Sequence, residues 1–317
     1  MRILSRTIFA GGIMEKGSTT YLIGTGGWEH EAYDNCFYPV PGEESLEKLR
    51  YYCRFFDTVE VRPAFWDDSL TADDARGWIG AVAANPHFLF DVKLHSSFTH
   101  KRIMHPNKTR NVRSLLHELA KSDRLGALLI QLPYSFTNTS ANRFHLVKLA
   151  EIFSGFPVHV ELRHESWHQP NLMSFLSENQ LHPVSADLPR TRQFMPFITE
   201  VVGETAYLRL HGRNERGWLI DEMDTRYDYL YNRRETLELK HRLNALSRKC
   251  RRVIVIFNNT TAGKAIANAL QLKAALREER TVTVPAATLQ AFPGLQDISH
   301  PHAAEDSLFG KTYKEAM

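Results

Sequence analysis

Residues 158–167, VHVELRHESW, contain the pattern that decides the fold. Apolar residues alternate with His159, Glu161 and Arg163, which is the period of a β-strand, and helical patterns lie on both sides of the segment. A strand between two helices belongs to a parallel sheet. Because barrel strands bury both faces, the polar residues of this strand are expected inside a closed barrel.

Seven further β-rich segments recur along the chain, with helical patterns between most of them. The eight predicted strands are 21–27, 58–63, 88–94, 127–133, 158–164, 182–187, 206–212 and 252–258. This alternation predicts an α/β protein, a single (β/α)8 TIM-type barrel, with a doubly wound open sheet as the alternative. Thr71 and Asp74 form a predicted capping box, whereas Pro196 interrupts the weakest helical segment, 192–203.

The length and charge of the chain fit one barrel domain. We assign 1–20 to an N-terminal extension, 21–280 to the barrel and 281–317 to a C-terminal tail. With 39 Lys and Arg against 36 Asp and Glu, the net charge of +3 is too small to indicate non-specific nucleic-acid binding. Any basic site must therefore be local.

The cysteines and the apolar runs predict a cytoplasmic protein. Cys36, Cys53 and Cys250 are far apart and show no paired spacing, which argues against a disulfide framework or a zinc site. The opening residues lack a signal-peptide cleavage site, and no apolar run reaches the roughly 18 residues that a membrane span needs. We therefore expect no membrane association.

Nine short motifs occur in order along most of the chain. They are IGTGGW (23–28), FYP (37–39), FFDTVEV (55–61), FDVK (90–93), FTHKR (98–102), QLP (131–133), VELRHESW (160–167), LRLHGR (208–213) and FNNTTAGKAIANA (257–269). As a set they resemble the domain-of-unknown-function-72 family, also called YecE-like. The resemblance implies a TIM-type barrel and no particular chemistry. The chain departs from the family pattern after Glu60, where Arg62 replaces small polar residues.

Polar residues with a period of two mark the side of each strand that is expected to face the barrel interior. They are Thr58, Glu60, Arg62, Asp91, Lys93, Gln131, His159, Glu161, Arg163, Ser185, Asp187, Tyr207, Arg209, His211 and Asn258. Their apolar alternates, such as Val160 and Leu208, should pack against the helices. Buried charges must be paired, so one interpretation of this set is a structural ion-pair network.

The other interpretation is a functional site, because barrel active sites lie at the carboxyl ends of the strands. The candidate catalytic residues are Glu60, Glu161, Asp187 and His211, and the candidate ligand-binding residues on the strands are Arg62, Lys93, Gln131, Arg163 and Arg209. Carboxylates and histidine suit general acid–base catalysis, and arginines suit an anionic ligand. Five of the following loops carry aromatic residues, so Trp28, Trp66 and Trp167 are expected on a stacking rim.

The loops after the seventh and eighth predicted strands form a candidate phosphate site. Barrels often bind phosphate there through loop amides and a helix N-terminus. The residues assigned to it are Arg213, Asn258, Asn259, Thr261 and Gly263. The alternative is an ordinary capped helix start.

No cofactor is predicted. A divalent metal would need Glu161, Asp187 and His211 to converge, but Arg163 and Arg209 lie between them in the predicted site. Near the end, Glu305, Ser307, Leu308 and Phe309 resemble the peptide with which bacterial proteins dock on the DNA polymerase sliding clamp; the alternative is a tail that packs on its own barrel.

Three functions fit these features. The first is an enzyme that acts on a phosphate-bearing ligand, such as a nucleotide, a nucleic acid or a sugar phosphate, in an arginine-rich pocket rimmed by aromatic residues. The second is a nucleic-acid-binding protein without catalysis, docked on the sliding clamp through its tail. The third is a carbohydrate-active barrel, which requires two facing carboxylates.

Overall fold

Eight parallel strands close into a barrel, as the spacing of the β-rich segments predicts. The computed structural model describes residues 14–16, 19–220 and 223–300. A short strand β1 (Met14–Lys16) pairs antiparallel with the start of β2, and β2 and β9 pair with each other to close the barrel. The barrel strands are β2 (Thr19–Thr25), β3 (Thr58–Val61), β4 (Leu89–Lys93), β5 (Leu125–Gln131), β6 (Val158–Glu161), β7 (His182–Asp187), β8 (Thr205–Leu210) and β9 (Arg252–Phe257).

Helices occupy most of the connections between the strands. They are α1 (Ser45–Tyr52), α2 (Ala72–Ala81), α3 (Ser96–Thr99), α4 (Pro106–Lys121), α5 (Ser140–Ile152), α6 (Leu172–Glu178), α7 (Glu215–Leu219), α8 (Met223–Arg226), α9 (Arg233–Leu246), α10 (Lys264–Leu276) and α11 (Ala286–Ala291), with 3-10 helices at Glu31–Asn35, Pro63–Phe65, Glu165–Trp167, Thr261–Gly263 and Pro293–Ile298. The predicted capping box at Thr71 and Asp74 starts α2. None of these helices is long and apolar enough to cross a membrane.

The main core lies between the barrel and its helices. The apolar alternates of the strands, including Val160 and Leu208, belong to this core, as their parity predicts. A second apolar cluster fills the barrel interior; it consists of Leu22, Leu89, Ala127, Leu129, Val184, Tyr207, Ile254 and Ile256. This interior cluster closes the barrel below the strand ends, so the polar residues nearest those ends lie above a packed interior and do not line a channel.

The connection between β7 and β8 contains no helix over residues 188–204, so the helix predicted at 192–203 is wrong. Its backbone instead crosses the ends of the neighbouring strands. Met195 N donates to Arg163 O at 2.8 Å, and Ser185 Oγ donates to Ile198 O at 2.7 Å. The segment satisfies its backbone through these contacts, because Pro196 cannot supply the amide that a continuous helix requires.

Residues 281–300, in the predicted tail, pack against the rest of the chain. Val282 forms a bridge with Ser299, and Leu295 is buried. In α11, Thr288 Oγ1 donates a 2.8 Å hydrogen bond to Cys36 O. The clamp-like peptide at 305–309 and the first 13 residues lie outside the described residues.

Candidate functional site

A buried ion-pair cluster joins three strands at the carboxyl end of the barrel. Arg209, at the end of β8, donates through Nε and Nη2 to Glu60 of β3 at 2.8 and 2.9 Å. Its Nη1 donates to Glu161 of β6 at 2.5 Å. All three side chains are almost fully buried. Their shared parity therefore brings them together as the sequence predicts.

Arg163 and His211 complete the surroundings of Glu161. Arg163 Nε donates to Glu161 Oε1 at 2.6 Å, and His211 Nε2 lies 3.3 Å from the same carboxylate. Burial alone would raise the pKa of Glu161, but the Arg209 and Arg163 guanidinium groups hold it well below its usual range. Glu161 is therefore a fixed anion and a poor proton carrier.

His211 is neutral and engaged through both ring nitrogens. Burial lowers its pKa to about 3, despite the opposing effect of Glu161. Its Nδ1 lies 3.1 Å from Asn258 Nδ2, so the amide donates to Nδ1 and the ring donates from Nε2 to Glu161. His211 is thereby held in one tautomer and orientation.

Lys93 differs from the other charged groups of the site because it has no carboxylate partner among the described residues. It ends β4, and its Nζ lies 3.9 Å from the centre of the Phe65 ring. Burial and the nearby Arg209 and Arg163 together lower the pKa of Lys93 to about 7, although Glu60 opposes the shift. A large share of Lys93 is therefore an uncharged amine at neutral pH.

Arg163 keeps free hydrogen-bonding capacity. Of its guanidinium nitrogens, Nε contacts Glu161, while Nη1 and Nη2 make no hydrogen bond to any described residue and are not completely buried, although the side chain as a whole is only 7% exposed. The Arg163 guanidinium also lies over the Trp218 ring, 5.2 Å from its centre. Its two terminal nitrogens are therefore donors without a partner among the described residues.

Two further predicted residues lie at the strand ends. Arg62 donates through Nη1 to Gly26 O at 3.3 Å and is close enough to Lys93 to affect its pKa. Gln131 donates to the carbonyl of Leu132 at 2.7 Å and is buried. Both therefore border the cluster, and Arg62 adds positive charge to it.

Asp91 lies deeper in the barrel and is not part of an ion pair with the described residues. Thr58 Oγ1 donates to Asp91 Oδ2 at 2.7 Å, and burial raises the pKa of Asp91 well above its usual range. The expectation that every interior carboxylate is paired with a cation is therefore wrong for Asp91. Burial without a paired cation therefore disfavours the charged form of Asp91.

Asp187 does not face the barrel interior, so its predicted place in the pocket is wrong. In the pairing of β7 with β8, Ala186 is the neighbour of inward-facing Arg209, and this register turns Ser185 and Asp187 outward. Asp187 accepts hydrogen bonds from Arg213 at 2.8 and 3.0 Å and from Tyr231 Oη at 2.8 Å. It therefore joins the strand to the helical layer.

The loops after β8 and β9 do not form the predicted phosphate site. Arg213 is surrounded by Asp187, Glu235 and Glu238, and these carboxylates repel an anion. Gly263 has φ +74°, and a Cβ there would lie 2.1 Å from Cys36 Sγ. Packing against Cys36 therefore explains why position 263 is occupied by glycine.

The other loop residues divide between the two sides of the barrel. Asn258 faces the pocket through His211, whereas buried Asn259 donates to Tyr229 O and Asn268 Oδ1 at 2.8 and 2.9 Å. Thr261 is half-buried in the 3-10 helix before α10. Asn259 therefore fixes the loop and does not face the ligand space.

Most of the predicted aromatic rim is core. Trp28 packs edge-on against Trp78, and Trp167 stacks on Phe136 with ring centres 5.8 Å apart. Both tryptophans are almost fully buried, so their assignment to ligand binding is wrong. Trp66 is 67% exposed and remains available to a partner.

Three residues at the pocket were not predicted from the sequence. Trp218 covers Arg163, and Tyr227 lies 5.9 Å from the His211 ring. His100 packs against Phe65, and burial together with Lys93 and Arg163 lowers its pKa to about 4. The available signal was the long connection after β8, which carries Trp218 and Tyr227, since long loops in compact domains are often functional.

Metal binding has little support from the donor set. Within 19–220 and 225–300, no three His, Cys, Asp or Glu side chains converge as metal ligands. Glu60 and Glu161 direct their oxygens at Arg209. A cation in that position would have to displace a guanidinium group.

Comparison with known proteins places these features in a family. A family model described as a protein of unknown function, DUF72, matches residues 22–291. The chain is 28% identical over 268 residues to the UPF0759 protein YunF of Bacillus subtilis (strain 168). The matched residues make up 79% of this chain and 92% of that protein.

Two solved structures show the same fold. The crystal structure of a DUF72 family protein from Thermotoga maritima MSB8 is 31% identical, covers 81% of this chain and 99% of that chain, and has a TM-score of 0.70. The crystal structure of a DUF72 family protein from Enterococcus faecalis V583 is 27% identical, covers 81% of this chain and 95% of that chain, and has a TM-score of 0.68.

Proposed function

The chain belongs to the DUF72 family of proteins of unknown function, and on that premise we propose that it is an enzyme that binds an anionic, phosphate-bearing small molecule at the carboxyl end of its barrel. The single observation that carries this proposal is the unused binding capacity of Arg163. Its Nη1 and Nη2 donors lack partners among the described residues and are not completely buried. A guanidinium fork with two free donors suits a phosphate or carboxylate group.

The charge balance of the site supports an anionic ligand. Four cationic side chains meet two carboxylates there; they are Arg62, Lys93, Arg163 and Arg209 against Glu60 and Glu161. Arg209 pairs with both carboxylates and Arg163 also contacts Glu161, so the excess positive charge lies on Arg62, Arg163 and the protonated fraction of Lys93. A bound anion would balance this charge in a site that is shielded from water.

Lys93 is the group best suited to transfer a proton. A general acid or base works best when its pKa is near the operating pH, and the pKa of Lys93 is about 7. Glu161 and His211 remain fixed in one protonation state and orient the arginines. The proposed assignment is thus Arg163 and Arg62 for the anion, and Lys93 for proton transfer.

The other functions are less well supported by the same geometry. A glycosidase needs one carboxylic acid that can donate a proton, whereas Glu161 is a stabilised anion and Glu60 is held by two donors of Arg209. Nucleic-acid binding would have to use exposed groups such as Trp66, because Trp28 and Trp167 are buried. Docking on the sliding clamp depends on residues 305–309 and stays a prediction.

The experiment that tests the proposal is a titration with inorganic phosphate, followed by calorimetry and thermal unfolding. Phosphate should bind and raise the Tm of the wild type. Arg163→Met should weaken phosphate binding by about 10- to 100-fold, the loss expected for a hydrogen bond to a charged group. Arg216→Met is the matched control, because Arg216 is an exposed arginine on α7 at the same end of the barrel.

Equal phosphate binding by the wild type and Arg163→Met would contradict the assignment. Tight binding of single-stranded oligonucleotides with a steep salt dependence, without binding of phosphate alone, would favour the nucleic-acid alternative. Catalysis is tested with a panel of phosphorylated metabolites, and Lys93→Met should abolish any turnover that the wild type shows.

A further inference from the structure

We propose that Lys93 is a covalent nucleophile that forms an iminium linkage with the carbonyl carbon of an anionic aldehyde or ketone. This inference rests on the proposed function, because Arg163 would hold the anionic group of the same substrate. It goes beyond that function by naming the carbonyl group as the reacting part of the ligand and by giving the Lys93 amine the role of nucleophile instead of proton carrier. The argument depends on the position, the surroundings and the accessibility of the Lys93 amine.

The position of Lys93 is fixed while its amine is free. Its backbone ends β4, where Lys93 pairs with Leu129 of β5, so the base of the side chain is held by the barrel. The amine itself makes no hydrogen bond or ion pair to a described residue, and it is partly accessible at the pocket. A nucleophile requires this combination of a rigid attachment and a lone pair that is not already used.

The surroundings of Lys93 favour the uncharged amine. The Phe65 ring, 3.9 Å from Nζ, supplies an apolar surface on one side. The charged and titratable groups around it are Arg209, Glu60, Arg163, Arg62 and His100. Three of these are permanent cations, and Glu60 is already bound by Arg209, so protonation of Lys93 is opposed.

These surroundings differ from those of Lys273, a buried lysine on α10. Lys273 of α10 lies 3.0 Å from Asp57 and donates to Phe55 O at 2.6 Å. Its ammonium is therefore committed to a structural ion pair. Lys93 lacks such a partner among the described residues, which is unfavourable for stability alone and useful for a nucleophile.

The covalent step balances without any further reagent. The Lys93 nitrogen lone pair forms a bond to the carbonyl carbon, and the C=O π pair moves to oxygen, which takes up the proton that the nitrogen then releases. The resulting carbinolamine loses its hydroxyl group as water with one further proton, which leaves an iminium ion between Nζ and the substrate carbon. The Arg163 terminal nitrogens would hold the carboxylate or phosphate of the substrate during these steps.

The experiment is reductive alkylation of the intact protein at pH 7, followed by peptide mapping. One sample receives glyoxylate, an anionic aldehyde, and the other receives formaldehyde, a neutral one; cyanoborohydride reduces the iminium ions that form. Lys93 should be modified at least about tenfold faster than exposed Lys101 by either aldehyde, because far more of it is unprotonated at this pH. Inorganic phosphate should slow the reaction of Lys93 with glyoxylate.

The two aldehydes separate the two proposals. If Lys93 reacts no faster than Lys101 with formaldehyde, the nucleophile proposal is overturned, whatever phosphate does. If Lys93 reacts fast with both aldehydes but glyoxylate has no advantage and phosphate gives no protection, the amine is a nucleophile and the anion site has failed. Arg163→Met gives a second check, since it should remove the advantage of glyoxylate and leave the formaldehyde reaction fast.

Discussion

Arg209 and Glu60 form two nearly equal hydrogen bonds, 2.8 and 2.9 Å long, across the barrel interior, although 149 residues separate them in the chain. The remaining guanidinium nitrogen, Nη1, reaches Glu161. One arginine thus pairs with two buried carboxylates from different strands. Arg163 contacts Glu161 only through Nε, and Lys93 has no carboxylate partner among the described residues.

Removal of Arg209 should cost much more stability than removal of Arg163. Arg209→Met leaves Glu60 without a cation, so the free energy of unfolding should fall by about 3–5 kcal/mol. Arg163→Met should cost only about 1–2 kcal/mol, because Glu161 retains Arg209. Urea melts with unchanged slope would measure both values. A loss for Arg163→Met as large as that for Arg209→Met would identify Arg163 as a structural partner of Glu161.

The stability difference between Lys93→Met and the wild type should depend on pH. The pKa of Lys93 is about 7 in the folded protein and about 10.4 in an unfolded chain, so the unfolded chain binds the extra proton between these values. The free energy of unfolding of the wild type therefore rises as pH rises through this window, because the cost of the buried charge on Lys93 disappears. Lys93→Met should be more stable than the wild type by about 2 kcal/mol at pH 6, with the gap closing towards pH 10.

Urea melts at four values between pH 6 and pH 10 would test this dependence. Lys101→Met is the matched control, because Lys101 is exposed and its substitution removes the same type of side chain outside the site. A constant gap for Lys93→Met would mean that Lys93 stays charged in the folded protein, and it would weaken its assignment as a proton carrier.

Asp187→Asn should separate the outer ion-pair cluster from the pocket. The substitution removes the charge that holds Arg213, so the free energy of unfolding should fall by about 1–3 kcal/mol. Phosphate affinity should stay at the wild-type value, because Asp187 faces the helices. Urea melts and phosphate calorimetry on the same preparation would test both parts. A drop in phosphate affinity would contradict this placement and show that Asp187 takes part in phosphate binding.

Gly263→Ala should destabilise the protein, because the new Cβ would clash with the sulfur atom of Cys36. The new Cβ would meet Cys36 Sγ at 2.1 Å, and φ of +74° is unfavourable for alanine. We expect a loss of about 2–4 kcal/mol, combining overpacking with backbone strain. In the background of Cys36→Ala the additional loss should shrink to about 1–2 kcal/mol, the part due to the backbone. An unchanged loss in that background would exclude the steric explanation.

The sequence predicted the pocket well where one strand carries charged and apolar residues in strict alternation. In β3, β6 and β8 the charged residues alternate with valine or leucine, and Glu60, Glu161 and Arg209 meet as expected. In β7 the alternation is weak. Val184 and Ala186 alternate with Ser185 and Asp187, but Ala186 and Ser185 differ little in volume or polarity. Only the register with β8 decides that Ala186 lies inside.

The sequence by itself determined the eight-stranded barrel, the helical layer around most of it and the end at which the charged groups gather. These features follow from local periodicity, which the chain carries in every segment. The tertiary structure decided that Trp28 and Trp167 are core, that Asp187 belongs to the outer layer and that Lys93 lacks a carboxylate partner among the described residues. The physical reason is that burial and pairing depend on residues far apart in the chain, and periodicity within one element does not specify which of them will meet.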